Sequence, residues 1–330
     1  MTRALLALQF VLCAVLIARA GYLLSASADR IARATGLTGG WMGLALLATV
    51  TSLPELASGV SAVAWIDAPN LAVGNVLGAC VFNLLFLAVI DLVQRRQPMY
   101  HHASTTHLLS AAFGVVMLGF VAMSLALGAR APAAFNVGLY SPLLLALYLL
   151  ALKSAFAHER ARATAQPAGE PAALRRDLLT FGATALVVLA AGTWLPSLAD
   201  QLAAEMGWSR SFVGTLFMAL VTTLPEMAVT LSALRLGALD MAIGNLLGSN
   251  LFNLVILAVD DVFYARGPLL ADASAVHAGS TAAAVLMTGL VMIGLVMRPR
   301  GRVLRVLSWV SVGLVAAYAL NAAFVFLHGA

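Results

Sequence analysis

Thr51-Ser52-Leu53-Pro54-Glu55 places two hydroxyls, a helix breaker and a carboxylate inside a long apolar run, and Thr222-Thr223-Leu224-Pro225-Glu226 does the same again. Proline and threonine are common enough in membrane helices, and a single buried glutamate can be a merely hydrogen-bonded one. Two are harder to dismiss. A charge at mid-bilayer costs on the order of 2.5–3.5 kcal/mol even on lenient insertion scales. Two such acids at matching positions point to the two halves of one cation site.

The chain around these stretches is too apolar for water. Of its 330 residues, 62% are hydrophobic and 10% charged, with a mean hydropathy of +0.96. Soluble domains carry about 25% charged residues, so an integral membrane protein is expected, with the lipid bilayer as its main partner. The two cysteines, Cys13 and Cys80, lie in apolar runs and imply no disulfide framework. The net charge of +5 sits between apolar segments, where topology accounts for it better than nucleic acid does.

Ten runs are long enough to cross a bilayer, at about 20 residues each. They cover 4–27, 40–65, 70–93, 106–128, 135–156, 178–198, 212–234, 238–263, 277–297 and 304–327. The polar stretch from His158 to Asp177 divides them into a first five-helix repeat (1–157), a linker (158–177) and a second five-helix repeat (178–330). With the N-terminus outside, fourteen basic residues fall in inside loops: Arg30, Arg33, Arg95, Arg96, Lys153, Arg160, Arg162, Arg175, Arg176, Arg235, Arg298, Arg300, Arg302 and Arg305. Four (Arg3, Arg130, Arg210 and Arg266) fall outside, and Arg19 lies within the first span. The positive-inside rule therefore predicts both termini outside and a cytoplasmic linker, in what is expected to be a bacterial inner membrane.

The two halves repeat one another. A shift of 171 lays Gly21 on Gly192, Asp29 on Asp200, Gly36 on Gly207, Gly43 on Gly214, Ala48 on Ala219, Thr51 on Thr222, Pro54 on Pro225 and Glu55 on Glu226. Beyond the next loop the shift is 170. It then lays Gly74-Asn75 on Gly244-Asn245, Gly78 on Gly248, Phe82-Asn83 on Phe252-Asn253, and Asp91 on Asp261. Five spans per unit is an odd number, so the second copy enters the membrane upside down. Inverted repeats mark many secondary transporters, with the site near the midplane where the copies meet. Arg3, the apolar stretch 4–18 and Ala18-Arg19-Ala20 mimic a secretory signal peptide. The repeat match at Gly21 and Asp29 instead favours a retained first span.

Pro54 cannot donate to the carbonyl of Val50, and Pro225 cannot donate to that of Val221. In lipid a freed carbonyl needs another partner, and a cation is one. Thr51 and Glu55, four apart, share a helix face, with Ser52 beside them. Hydroxyls, carbonyls and carboxylates are hard ligands that suit Na⁺ and Ca²⁺. The following helices carry Gly74-Asn75-Val76-Leu77-Gly78-Ala79-Cys80-Val81-Phe82-Asn83 and Gly244-Asn245-Leu246-Leu247-Gly248-Ser249-Asn250-Leu251-Phe252-Asn253. Their glycines permit close helix approach. Asn83 and Asn253 are the better amide ligand candidates; Asn75 and Asn245 serve as ligands or as ties between helices.

These paired motifs resemble the alpha-repeats of the sodium/calcium exchangers, within the calcium/cation antiporter superfamily. That pattern is Gly-Thr-Ser-Leu-Pro-Glu, then a helix with Gly-Asn-x-x-Gly-Ser-Asn-x-x-Asn/Asp, and the resemblance extends over all ten spans. It implies an all-α membrane protein whose second, third, seventh and eighth helices hold the ions, and whose first and sixth slide to switch access. By matching positions, Glu55 and Glu226 would be the Ca²⁺/Na⁺ carboxylates. Thr51, Ser52, Thr222 and Thr223 would supply hydroxyl or carbonyl oxygens, as would the Ala48 and Ala219 carbonyls. Asn83, Ser249 and Asn253 would complete the shell.

The chain departs from that pattern in places. Val50 and Val221 replace the motif glycine, and Ala79-Cys80 replaces Ser-Asn in the first repeat. Cys80 reads as a small packing residue. Asn253 stands where some relatives have Asp, which leaves two carboxylates, enough to neutralise one Ca²⁺. Asp91 and Asp261 read as structural or as part of an ion vestibule, and His101, His102 and His107 as a solvated face. No phosphate-cradling loop or nucleophile–base pair is present, so no enzyme chemistry or cofactor is expected, and no protein partner is inferable from the sequence. The expected activity is Ca²⁺/Na⁺ antiport by alternating access. The alternatives are H⁺/Ca²⁺ exchange on the same scaffold and a channel or transport-inactive sensor.

Overall fold

In a computed structural model of the chain, residues 3–34, 48–94, 98–159, 171–303 and 306–329 are described. The repeat positions Gly36 and Gly43, and Arg95, Arg96, Arg160, Arg162 and Arg305, lie outside them. Among the described residues ten longer helical segments follow in order, with short helical turns at Met99–His102, Gly128–Arg130 and Leu269–Ala271 between them. The first half holds α1 (Arg3–Ala34), α2 (a turn over 48–51, then Leu53–Ala64), α3 (Pro69–Val93), α4 (His107–Leu127) and α5 (Tyr140–Glu159). The second half holds α6 (Pro171–Met206), α7 (Arg210–Thr222, then Leu224–Arg235), α8 (Leu239–Phe263), α9 (Val276–Met297) and α10 (Trp309–His328). Part of the expected linker is helical, since α5 runs to Glu159 and α6 begins at Pro171. A two-residue hairpin, Ala133–Ala134 with Val137–Gly138, is the only paired strand among the described residues.

Burial sorts the helices into centre and periphery. In the most apolar stretch of α3 and of α8, 78% of residues are buried; for α1 and α6 the shares are 28% and 22%. Leu8, Val11, Leu12 and Val15 of α1, and Leu178, Leu179 and Leu186 of α6, are exposed. In water this would be untenable; against lipid tails it is the expected outer surface. Arg19 is also exposed.

The repeats lock together reciprocally. Buried Asp91 accepts from the Met99 and Ser308 amides (2.9 and 2.8 Å) and from Ser311 Oγ (2.8 Å). Asp261 accepts at the equivalent places, from the Leu269 and Gly138 amides (2.6 and 2.8 Å) and from Ser141 Oγ (2.5 Å), and takes Tyr140 OH as well (2.6 Å). Each aspartate thus ties the end of its own helix to the start of the last helix in the other repeat, α10 or α5. This settles both as anchors. The Asp261→Ala variant strands four donors, each costing about 1–3 kcal/mol when buried unpaired. Its thermal melting in detergent is expected to fall well below that of the wild type.

A second reciprocal pair holds the opposite helix ends. The Ser104 amide donates to Asp240 Oδ1 at 2.7 Å, and the Ser274 amide to Asn70 Oδ1 at 2.6 Å. His107 joins the first of these at 3.0 Å from Asp240 and is buried, not part of a solvated face. His102 is exposed and His101 intermediate. The sequence offers no sign of the difference, because Asp240 is distant in the chain.

Candidate cation site

Pro54 and Pro225 break their helices at the same point. Ser52 and Thr223 precede the new segments with near-identical backbones, φ −89° ψ 13° and φ −80° ψ −1°. In α7 the break bends the axis by 44°. A π-helical stretch, Val213–Met218, leads into it, the kind of local irregularity found often at functional sites. Glu55 and Glu226 fall in the first turn after each break. There the free amides of a new helix favour an acid.

The glycine motifs bring the helices of opposite repeats together here. A Cβ on Gly78 would sit against the Thr215 carbonyl oxygen and 2.7 Å from Ala219 Cβ, so α3 presses its backbone onto α7. Gly248 faces Ala48 with more room, 3.4 Å. The outer pair reaches the same place. Gly21 of α1 lies on the ring of Pro225, where a Cβ would be 2.7 Å from Pro225 Cβ, and a Cβ on Gly192 of α6 would be 3.2 Å from the Pro54 carbonyl oxygen. Cys13 Sγ bonds the Ala191 carbonyl at 3.2 Å and joins α1 to α6. Each peripheral helix therefore rests on the proline break of the opposite repeat.

The side chains gathered inside are wholly buried: Glu55, Glu226, Ser52, Thr222, Thr223 and Ser249 have no exposed surface, and Thr51, Asn83 and Asn253 essentially none. Ser52 Oγ donates to Glu226 Oε1 at 2.9 Å, across the repeats. Thr51 donates to the Ala48 carbonyl (3.1 Å), Thr223 to that of Ala219 (2.8 Å), and Thr222 to Asn75 Oδ1 (3.1 Å). Each hydroxyl so spends its proton and keeps oxygen lone pairs to present. The Ala48 and Ala219 carbonyls also accept the Ser52 and Thr223 amides, which leaves them the most engaged of the expected oxygens.

Several buried polar atoms have no hydrogen-bond partner at all: both Glu55 oxygens, Glu226 Oε2, Asn83 Oδ1, Ser249 Oγ, and both groups of the Asn253 amide. Unpaired buried polar atoms are rare in folded proteins. These seven fall at positions singled out from the motifs, on α2, α3, α7 and α8; others, such as Thr215 Oγ1, Asn245 Oδ1 and both ring nitrogens of His277, fall outside that set. Asn75 acts instead as a tie, while Asn245 ties through its amide nitrogen and leaves its Oδ1 unpartnered. Asn75 bridges Ser58 and Thr222, and Asn245 reaches Thr230 Oγ1 at 3.2 Å. Cys80 is buried, 3.8 Å from the Asn250 carbonyl, while Asn250 Oδ1 takes the Asn83 amide at 3.0 Å. Among the described residues no three His, Cys, Asp or Glu side chains form a metal-holding group. The donors are two carboxylates and neutral oxygens, a set suited to hard cations.

Comparison with known proteins bears on this arrangement. The family model for the sodium/calcium exchanger protein matches residues 5–155 and again 177–327. The putative antiporter CaxA of Alkalimonas amylolytica is 30% identical over 264 residues, covering 75% of this chain and 76% of that one. The inner membrane protein YrbG of Escherichia coli (strain K12) is 28% identical over 238 residues, covering 70% and 71%. The solved structure of the sodium-calcium exchanger NCX_Mj superposes with a TM-score of 0.65 over 98% of this chain and 99% of its own, at 22% identity, and so shares the fold. This chain belongs to the sodium/calcium exchanger protein family.

Proposed function

We propose that the protein is a secondary antiporter that exchanges Ca²⁺ for Na⁺ through the oxygen set around Glu55 and Glu226. The observation that carries this reading is the coincidence of unpartnered buried oxygens on Glu55, Glu226, Asn83, Ser249 and Asn253. Ca²⁺ is bound by six to eight oxygens, and the site draws carboxylate, amide and hydroxyl donors from both repeats. A carboxylate pair neutralised by one divalent ion or by several Na⁺ makes the two substrates compete rather than travel together.

Access switches by movement of α1 and α6 over the proline breaks, on the contacts Gly21–Pro225 and Gly192–Pro54. The distribution of basic residues supports both termini outside and the central linker in the cytoplasm. An inner-membrane setting fits the description of the E. coli relative. In proteoliposomes given Na⁺, K⁺ and H⁺ gradients in turn, Ca²⁺ uptake is expected to follow the Na⁺ gradient and to saturate with Ca²⁺. Saturation and dependence on a counter-ion separate an exchanger from a channel or a transport-inactive sensor.

One observation favours a second reading. Ala79 is fully buried where the other repeat has Ser249, so the first repeat lacks that hydroxyl. Fewer oxygens for Na⁺ leave room for protons on Glu55 and Glu226 as the counter-ion. Uptake that follows the H⁺ gradient without Na⁺ would select this reading over the first.

A further inference from the structure

Asp260 is a buried acid that neither the anchors nor the ion site absorb. It lies on α8 with no exposed surface, and neither of its carboxylate oxygens has a hydrogen-bond partner. Its neighbour Asp261 makes the four anchoring bonds at this helix end, so the fold needs no second acid here. The repeat supports this. Asp261 corresponds to Asp91 under the shift of 170, whereas Asp260 corresponds to Ile90. The same architecture therefore forms with a hydrocarbon in that place.

Its location follows from two contacts between α2 and α8. Gly248 faces Ala48 and, further along both helices, Asp260 faces Gly59, so the two helices run side by side in one direction. A Cβ on Gly59 would lie 2.6 Å from Asp260 Oδ1 and 2.8 Å from Cγ. Glycine is what leaves the carboxylate its space. Glu55 is one turn before Gly59 on the same face of α2, and Asn253 two turns before Asp260 on the same face of α8. At 1.5 Å per residue, Asp260 sits roughly 6 Å beyond the Glu55 level, toward the membrane face where α2 and α8 end. It forms no three-acid cluster with Glu55 and Glu226, so its position is separate. The counterparts at the other exit are Ile90 and Thr230, and Thr230 Oγ1 already takes the Asn245 amide.

We propose that Asp260 is a second cation-binding position, on the path between the Glu55–Glu226 site and the membrane face at which α2 and α8 end. It rests on the exchanger reading and refines it. A buried carboxylate without donors must be neutralised by a cation or a proton. A bare oxygen pair one turn from the main site offers a dehydrating Ca²⁺ or Na⁺ its first charged ligand. The path is unequal, because Asp260 has Ile90 as its counterpart in the other repeat. Under the orientation proposed above, the α2–α8 exit is the outer one.

Residue-resolved labelling with a hydrophobic carbodiimide, on the full chain in proteoliposomes, tests this. Peptide mass spectrometry reads Glu55, Glu226 and Asp260 separately, with Ca²⁺, with Na⁺, or with choline alone. Labelling of Asp260 is expected to fall roughly tenfold with Ca²⁺ or Na⁺ at about ten times its dissociation constant. Equal labelling of Asp260 under all three conditions, while Glu55 and Glu226 are protected, overturns the proposal and leaves the main site standing. Protection of Asp260 without protection of the glutamates supports the proposal and defeats the main assignment. In oriented vesicles, Asp260→Asn is expected to raise the apparent KM for Ca²⁺ severalfold from the α2–α8 exit and to leave it unchanged from the other. An unchanged KM from both sides, or an equal rise from both, contradicts it.

Discussion

Glu55→Gln and Glu226→Gln are each expected to abolish Ca²⁺ uptake driven by a Na⁺ gradient in reconstituted vesicles. Glutamine keeps the shape of the side chain and removes its charge, so the change isolates electrostatics from packing. Breaking one partner of a buried ion contact costs about 3–5 kcal/mol, which is roughly two to three and a half orders of magnitude in affinity. Glu226 keeps a hydroxyl partner in Ser52, while Glu55 has no partner for either oxygen. The Glu55 variant therefore loses at least as much as the Glu226 variant. Neither loss reflects misfolding if thermal melting without substrate ions is preserved, as expected when a buried charge is removed from a site with few donors. Uptake at the wild-type rate by either variant would remove that glutamate from the ion site.

The second large effect is one of packing, and it separates two positions that the repeat treats as equivalent. Gly78→Ala forces a methyl against the Thr215 carbonyl and to 2.7 Å from Ala219 Cβ, backbone and near-backbone atoms that cannot step aside. Overpacking of this kind costs about 1–3 kcal/mol. Because Ala219 immediately precedes the broken turn of α7, the strain is delivered to Thr222 and Thr223. Gly248→Ala meets Ala48 Cβ at 3.4 Å, an ordinary contact. Thermal melting and Ca²⁺ uptake should both fall for Gly78→Ala and stay near wild type for Gly248→Ala. Equal tolerance at the two sites would contradict the closer approach of α3 to α7.

Much of this could be read from the chain because the constraints are local and duplicated. A proline at 54 and again at 225 announces its break without tertiary information. An acid one residue on declares itself by the cost of placing it in lipid. Glycine spacing likewise marked the crossing helices. Tertiary partners were what the linear order concealed. His107 is buried because Asp240 lies beside it, 133 residues away. The sequence alone is compatible with Asp91 and Asp261 as anchors or as vestibule residues, and the arrival of Ser308 and Gly138 from the opposite repeats decides for anchors. Asp260 is inconspicuous in the sequence because it adjoins Asp261. Successive residues on a helix point about 100° apart, so one aspartate of α8 ties down the helix end while its neighbour faces Gly59 of α2. The repeat, so informative elsewhere, hides Asp260, since its counterpart is Ile90.

The most direct measurement is calorimetric titration of the purified full-length protein with Ca²⁺, in choline and then in Na⁺, for the wild type and for Glu55→Gln and Glu226→Gln. The account predicts Ca²⁺ binding that weakens as Na⁺ rises, by competition for the same carboxylates, and that disappears in both variants. Ca²⁺ bound with unchanged affinity by either variant, or wild-type binding indifferent to Na⁺, would contradict it.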